Sequence, residues 1–125
     1  MDGHEWDEAG RLVDDWQAGI EEHAARTREL SARLASLTAT ATSDDGLVTV
    51  TVGSTGLITG LELQESIRRR PAADTARAVL ATLRTAHADL TARATTATEE
   101  TLGAGSPTAR AVIASYAARQ APADD

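Results

Sequence analysis

Residues 45–63 read DGLVTVTVGSTGLITGLEL. Val48, Val50 and Val52 fall on one face of this stretch, and Leu47, Thr49 and Thr51 fall on the other. That period of two is the mark of a half-buried strand. Asp44-Asp45-Gly46 before it and Gly53-Ser54-Thr55-Gly56 after it carry turn chemistry. Beyond the second turn, Leu57, Thr59, Leu61 and Leu63 share a face, with Ile58, Gly60 and Glu62 opposite. Residues 38–43 are β-prone and weakly apolar. The segment predicts an antiparallel meander of two firm strands and one weak one. A helix is expected to cover the valine face. The weak first strand leaves an edge that a twofold partner would cover.

Helices flank the meander. Upstream, one set of seven-residue steps reads Trp6, Val13, Ile20, Thr27, Leu34; a second reads Ala9, Trp16, His23, Leu30, Leu37. Only Thr27 and His23 break this apolar heptad seam, so residues 5–37 are expected to form one long helix that seeks another helix. Asp2 followed by Glu5 has the spacing of a capping box, and acids in the opening turns suit the positive end of the helix dipole. Downstream, Pro71 suits the first position of a helix, where its missing N–H costs nothing. That helix is expected to run to about residue 102, with Val79, Leu80, Leu83, His87, Leu90 and Ala94 as its inner stripe. Residues 91–101 contain no large apolar side chain, so its far end is expected to fray. Gly103 to Pro107 breaks the chain, and a short helix over 108–119 presents Val112, Ile113 and Tyr116 on one side. The organisation is an αβββα domain over 1–102, of the α+β class, then a Gly/Pro break, a short extra helix and a tail over 103–125.

Composition sets limits. Of 125 residues, 26 are alanine, while leucine, isoleucine and valine total 22 and phenylalanine is absent. So few large apolar groups make a thin core, and a dimer is expected. Cysteine is absent, which excludes disulfides and thiolate metal sites. The N-terminus has no apolar run of the signal-peptide kind. No segment is long and apolar enough to span a bilayer. Residues 1–25 hold eight acids and one arginine; residues 26–125 hold eleven of each. The formal charge of −7 therefore belongs to the first helix. Lysine is absent and all twelve basic residues are arginine.

The order of long helix, meander and long helix resembles the YbaB/EbfC family of small bacterial nucleoid-associated proteins. The resemblance is carried by Gly46 opening a strand, Val48-x-Val50-x-Val52, the Gly56 turn, LEL at 61–63, and AHAD at 86–89 within TARAVLATLRTAHADL. It covers roughly residues 5–100. It implies a dimer formed through the sheet with helices projecting as arms, and sequence-tolerant binding of duplex DNA in the cytoplasmic nucleoid. Some relatives accompany secretion loci. This chain departs from the commoner pattern in its Gly/Pro break, extra helix, acidity and lack of lysine.

For DNA, the candidates are Arg68, Arg69 and Arg70, just before a helix N-terminus, followed by Arg77 and Arg84. Three guanidiniums beside free helix N–H groups suit a phosphate. Glu62, Glu65 and Asp74 are equally available as partners, which would make the cluster a solvated loop. No aromatic lies among these arginines to stack on bases, and no helix-turn-helix or zinc-finger pattern occurs. A dimer or partner interface is expected at Trp6, Val13, Trp16, Ile20, Leu30, Leu34 and Leu37, and at Val48, Val50 and Val52. The alternative function is a protein-interaction module using the heptad seam, with acids at 7, 8, 14, 15, 21 and 22 selecting a basic partner. His23 and His87 lie on inner stripes and read as core histidines. No serine, histidine and acid fall into a catalytic arrangement, and residues 53–56 lack the lysine and helix of a phosphate loop. No enzymatic activity, metal, cofactor, small-molecule substrate or membrane association is expected.

Overall fold

The computed structural model describes residues 3–120, with the side chains of 7–119. The capping pattern of Asp2 and Glu5, the side chain of Trp6 and the 121–125 tail lie outside the described residues. Strands β1 (Ala39–Thr42), β2 (Val48–Val52) and β3 (Ile58–Leu63) form an antiparallel sheet in the order β1-β2-β3. The valine alternation builds the central strand. Val48, Val50 and Val52 are fully buried, and Ala39 and Ala41 stand opposite Val52 and Val50 on the same face. On the other face Thr40 meets Thr51 and Thr42 meets Thr49, with hydroxyl contacts of 3.0 and 3.1 Å. Gly56 closes the second turn at φ 87°, a conformation that glycine adopts without a steric penalty.

The pairing of β3 differs from a plain alternation. Val48 pairs with Leu63, Val50 with Leu61 and Thr51 with Gly60, but Val52 pairs with Ile58. Thr59 is the extra residue of a β-bulge. The bulge puts Ile58, rather than Leu57 and Thr59, in line with Leu61 and Leu63 on the valine side.

Helix α2 (Ala72–Leu102) lies across that side, over β1 and β2. It buries Thr82, Ala86, Leu90, Ala94, Ala97 and Thr98. Val79 and Leu83 are half-buried against the core, and Leu80 points to solvent. Thr82 and Thr98 satisfy their buried hydroxyls by donating to the carbonyls of Ala78 (2.7 Å) and Ala94 (2.6 Å). His87 Nε2–H donates to the Gly56 carbonyl at 2.7 Å and braces the β2–β3 turn. His87 is half-buried, but His23 is exposed on the first helix and is not a core histidine, because no described residue of the body packs over the seam there.

The far end of α2 stays helical because its small residues are packed. Ala94, Ala97 and Thr98 admit close neighbours; helix α3 (Pro107–Gln120) folds back on α2, and the segment before β1 packs on it as well, with Arg33 bonding Glu100 and Thr101. Ala109 and Tyr116 of α3 are buried, and Tyr116 belongs to the main core cluster. Gly103, at φ 88°, ends α2, and its N–H bonds the Glu99 carbonyl at 2.9 Å.

Helix α1 (Gly3–Ala35) divides in two. Its last turns pack on the body: Leu30 is buried, Leu34 and the following Leu37 join the core, and Arg33 bonds Glu100 (2.8 Å) and Thr101 (3.1 Å). Residues 7–29 are exposed except for Ala24, which is half-buried. They form an arm of about 35 Å at 1.5 Å per residue. No described helix is long and apolar enough to cross a membrane.

Candidate nucleic-acid interface

The arginine cluster is not a loop. After β3 the chain forms a 3-10 turn over Glu65–Arg69. The apolar Ile67 sinks into the core and fixes this turn, which leaves Arg68 and Arg69 outside. Arg70 is extended (φ −98°, ψ 151°), as the residue before a proline must usually be, and α2 starts after Pro71. The arginines are thus held at the N-terminal end of α2 by a buried anchor and a stiff backbone. Arg77 follows within the first two turns of the helix. Arg84 lies about 18 Å along the axis from Ala72.

The five guanidiniums are not equivalent. Arg70 is paired with Asp45 across 25 residues of sequence. Asp45 also accepts the Ser43 hydroxyl (2.7 Å) and the Leu47 N–H (3.0 Å). The Ser43 bond first, then the Leu47 amide and Arg70, hold its pKa down to about 2. Arg70 is therefore a strut between the β1–β2 turn and the start of α2. Arg68 pairs with Glu65 at 3.0 Å on an open surface. Arg77 pairs with Asp74 one turn away. Glu65 and Asp74 take the neutralising role open to them in the sequence, while Glu62 makes no ion pair among the described residues. Arg69 and Arg84 are exposed and without an ion pair among the described residues. Exposed pairs such as Arg68–Glu65 are worth little in water and exchange readily for a phosphate. The Arg70–Asp45 pair is the most enclosed and the least exchangeable.

The expected interface residues sort differently. Val48, Val50 and Val52 have no surface to offer a second chain; α2 consumes it, as a helix on a strand face must. Leu30 is likewise buried, and Leu34 and Leu37 are half-buried in the chain's own core. Val13, Trp16 and Ile20 stand in solvent at 53, 67 and 48% exposure, joined by Leu12 at 71%.

A second apolar surface went unrecognised in the sequence. The valine side of β3 extends past the cover of α2, and Ile58, Leu61 and Leu63 remain 44–47% exposed on it. Leu57 beside them is 72% exposed. The sequence signals for this ledge were the density of Leu and Ile between residues 57 and 63 and the shared face of Leu61 and Leu63.

The sequence model of the YbaB/EbfC DNA-binding family matches residues 13–105. No curated protein and no solved structure matches the chain.

Proposed function

The chain belongs to the YbaB/EbfC DNA-binding family, a family of nucleoid-associated proteins and not of enzymes, and we propose that it binds duplex DNA as a homodimer without strong sequence preference. Its place of action is then the nucleoid, in the cytoplasm. The observation that carries the reading is the arginine surface at the head of α2, seen in a chain of this family. Arg69 and Arg84 are free for phosphates, and Arg68 and Arg77 are held only by exposed partners. Phosphate contacts give affinity without base readout, which agrees with the lack of aromatic or groove-reading elements among these residues.

The acidity of the chain is compatible with this. It is concentrated in an arm about 35 Å long, while charges are screened over about 8–10 Å in physiological salt. The outer carboxylates therefore do not cancel the field at the head of α2, provided the arm points away from the duplex. The ledge of Ile58, Leu61 and Leu63 supports the dimer, because a second copy on a twofold axis covers it and doubles the arginine surface.

The test is duplex binding across a salt series. If Arg69 and Arg84 of both protomers meet phosphates, four contacts give a log–log slope of about −3.6. Arg69→Ala is expected to lower that slope by about 1.8, and Arg70→Ala to change it least of the five. The Arg68→Ala/Arg69→Ala/Arg70→Ala variant is expected to bind with a clearly shallower slope. Unchanged slopes in all of these would remove the arginines from the interface. A second reading, a protein-interaction module, rests on a different observation: the apolar seam of the arm is exposed, with no cover among the described residues.

A further inference from the structure

We infer that the arm of α1 docks a basic amphipathic helix of another protein, which gives the interaction-module reading, on which this rests, a partner of defined chemistry. The seam itself is Ala9, Val13, Trp16 and Ile20, continued toward the body by the polar His23 and Thr27, and flanked on one side by Leu12 and Gly19 and on the other by Gly10, Gln17 and Ala24. None of these flanking residues is charged. A Cβ added at Gly10 or Gly19 would meet nothing within 4 Å, so each is a vacant notch at the edge of the seam.

The charges stand one step behind the notches. At 100° per residue, Asp7, Asp14 and Glu21 lie about 40–60° further round from the Gly10 side, and Glu8, Asp15 and Glu22 lie similarly behind the Leu12 side. All six are exposed. A helix laid in the seam places its own flanking residues over the notches. Long arginine or lysine side chains there run across the small residues and end at the carboxylates. Short or acidic side chains do not reach, or are repelled.

The same geometry disfavours the other occupants. A second arm would fill the apolar seam but bring seven more carboxylates against three arginines, Arg11 at the back of the helix and Arg26 and Arg28 near the body, so the pair would carry a net negative charge along the seam. Duplex DNA and an anionic membrane are repelled outright. Only a basic helix satisfies both the apolar stripe and the acidic rails.

The experiment uses the full chain and three synthetic three-heptad peptides with leucine at both core positions. Their flanking positions carry arginine, glutamine or glutamate. Binding is read from tryptophan emission and by calorimetry. The arginine peptide is expected to bind saturably, with a blue shift, and about tenfold tighter than the glutamine peptide at low salt. The advantage shrinks as salt rises, and the glutamate peptide does not bind. Val13→Asp/Ile20→Asp is expected to abolish binding while leaving the thermal transition of the body unchanged, since both residues lie on the exposed arm. Equal binding of the arginine and glutamine peptides would overturn the basic-partner inference and leave the seam as a docking site. No binding by any peptide would overturn both. A fall in sedimentation mass on Val13→Asp/Ile20→Asp would assign the seam to a second copy and overturn the inference as well.

Discussion

Leu90→Ala is the sharpest probe of how this thin core holds together. Leu90 is the largest fully buried side chain among the described residues, and it packs in one cluster with Val48, Val50 and Val52. The substitution removes three carbons, worth about 2.4 kcal/mol at about 0.8 kcal/mol for each. A cavity term adds to this, because the surrounding valines are short and tied into the sheet and cannot follow the receding helix side chain. We expect a loss of about 3–5 kcal/mol, in the upper part of the range for such changes. For 125 residues the entropy of unfolding near the midpoint makes 1 kcal/mol equal to about 4 °C, so Tm falls by about 11–19 °C. The control is Leu80→Ala on the same helix. Leu80 is 52% exposed, and its loss is expected to cost under about 1 kcal/mol, or less than about 4 °C. The assay is thermal unfolding followed by circular dichroism at one fixed protein concentration, since dimerisation would make Tm concentration-dependent. Equal shifts for the two variants would refute the assignment of Leu90 to the core and of α2's inner face to Leu90, Ala86 and Ala94.

Three further outcomes are expected. Ala97→Leu forces a large side chain into the close contact at the far end of α2 and is expected to destabilise by about 1–3 kcal/mol, whereas a frayed helix end would accept it; chemical denaturation decides. Asp45 has a folded pKa lowered from 3.8 to about 2, so its stabilising bonds are fully present above about pH 4 and lost as pH falls toward 2. Tm of wild type is expected to fall more steeply over that window than Tm of Asp45→Ala. Leu61→Asp places a charge on the uncovered ledge of β3 and is expected to give a folded monomer by sedimentation; an unchanged dimer would move the interface elsewhere.

Local periodicity made much of this fold legible. Val48-x-Val50-x-Val52 gave β2 and its buried face, the heptads gave α1, and Pro71 and Gly103 bracketed α2. What escaped the sequence depended on non-local facts. Thr59 is unremarkable by type, yet as a bulge residue it turns Ile58 toward the valine side. Residues 91–101 are too small to hold a helix end by themselves, and local sequence does not contain the return of α3 or the approach of Arg33 from α1 that pack this end. In the arginine cluster, Ile67 was the overlooked anchor: one apolar residue among polar neighbours makes a 3-10 turn out of an expected loop. Asp45 was read only as a turn residue, since nothing local couples it to Arg70. That pairing makes Arg70 a strut, while Arg68 and Arg77 have exposed partners and Arg69 and Arg84 have no ion pair among the described residues, a distinction that spacing along the chain does not contain.

The most direct test of the central claim is binding of the wild-type chain to two duplexes of unrelated sequence over a range of salt concentrations. Non-specific phosphate binding requires the two affinities to agree and to fall steeply together, with a log–log slope of about −3.6 or more negative. No binding to either duplex at low salt would contradict the DNA-binding account for this chain and leave the arm of α1 as its working surface.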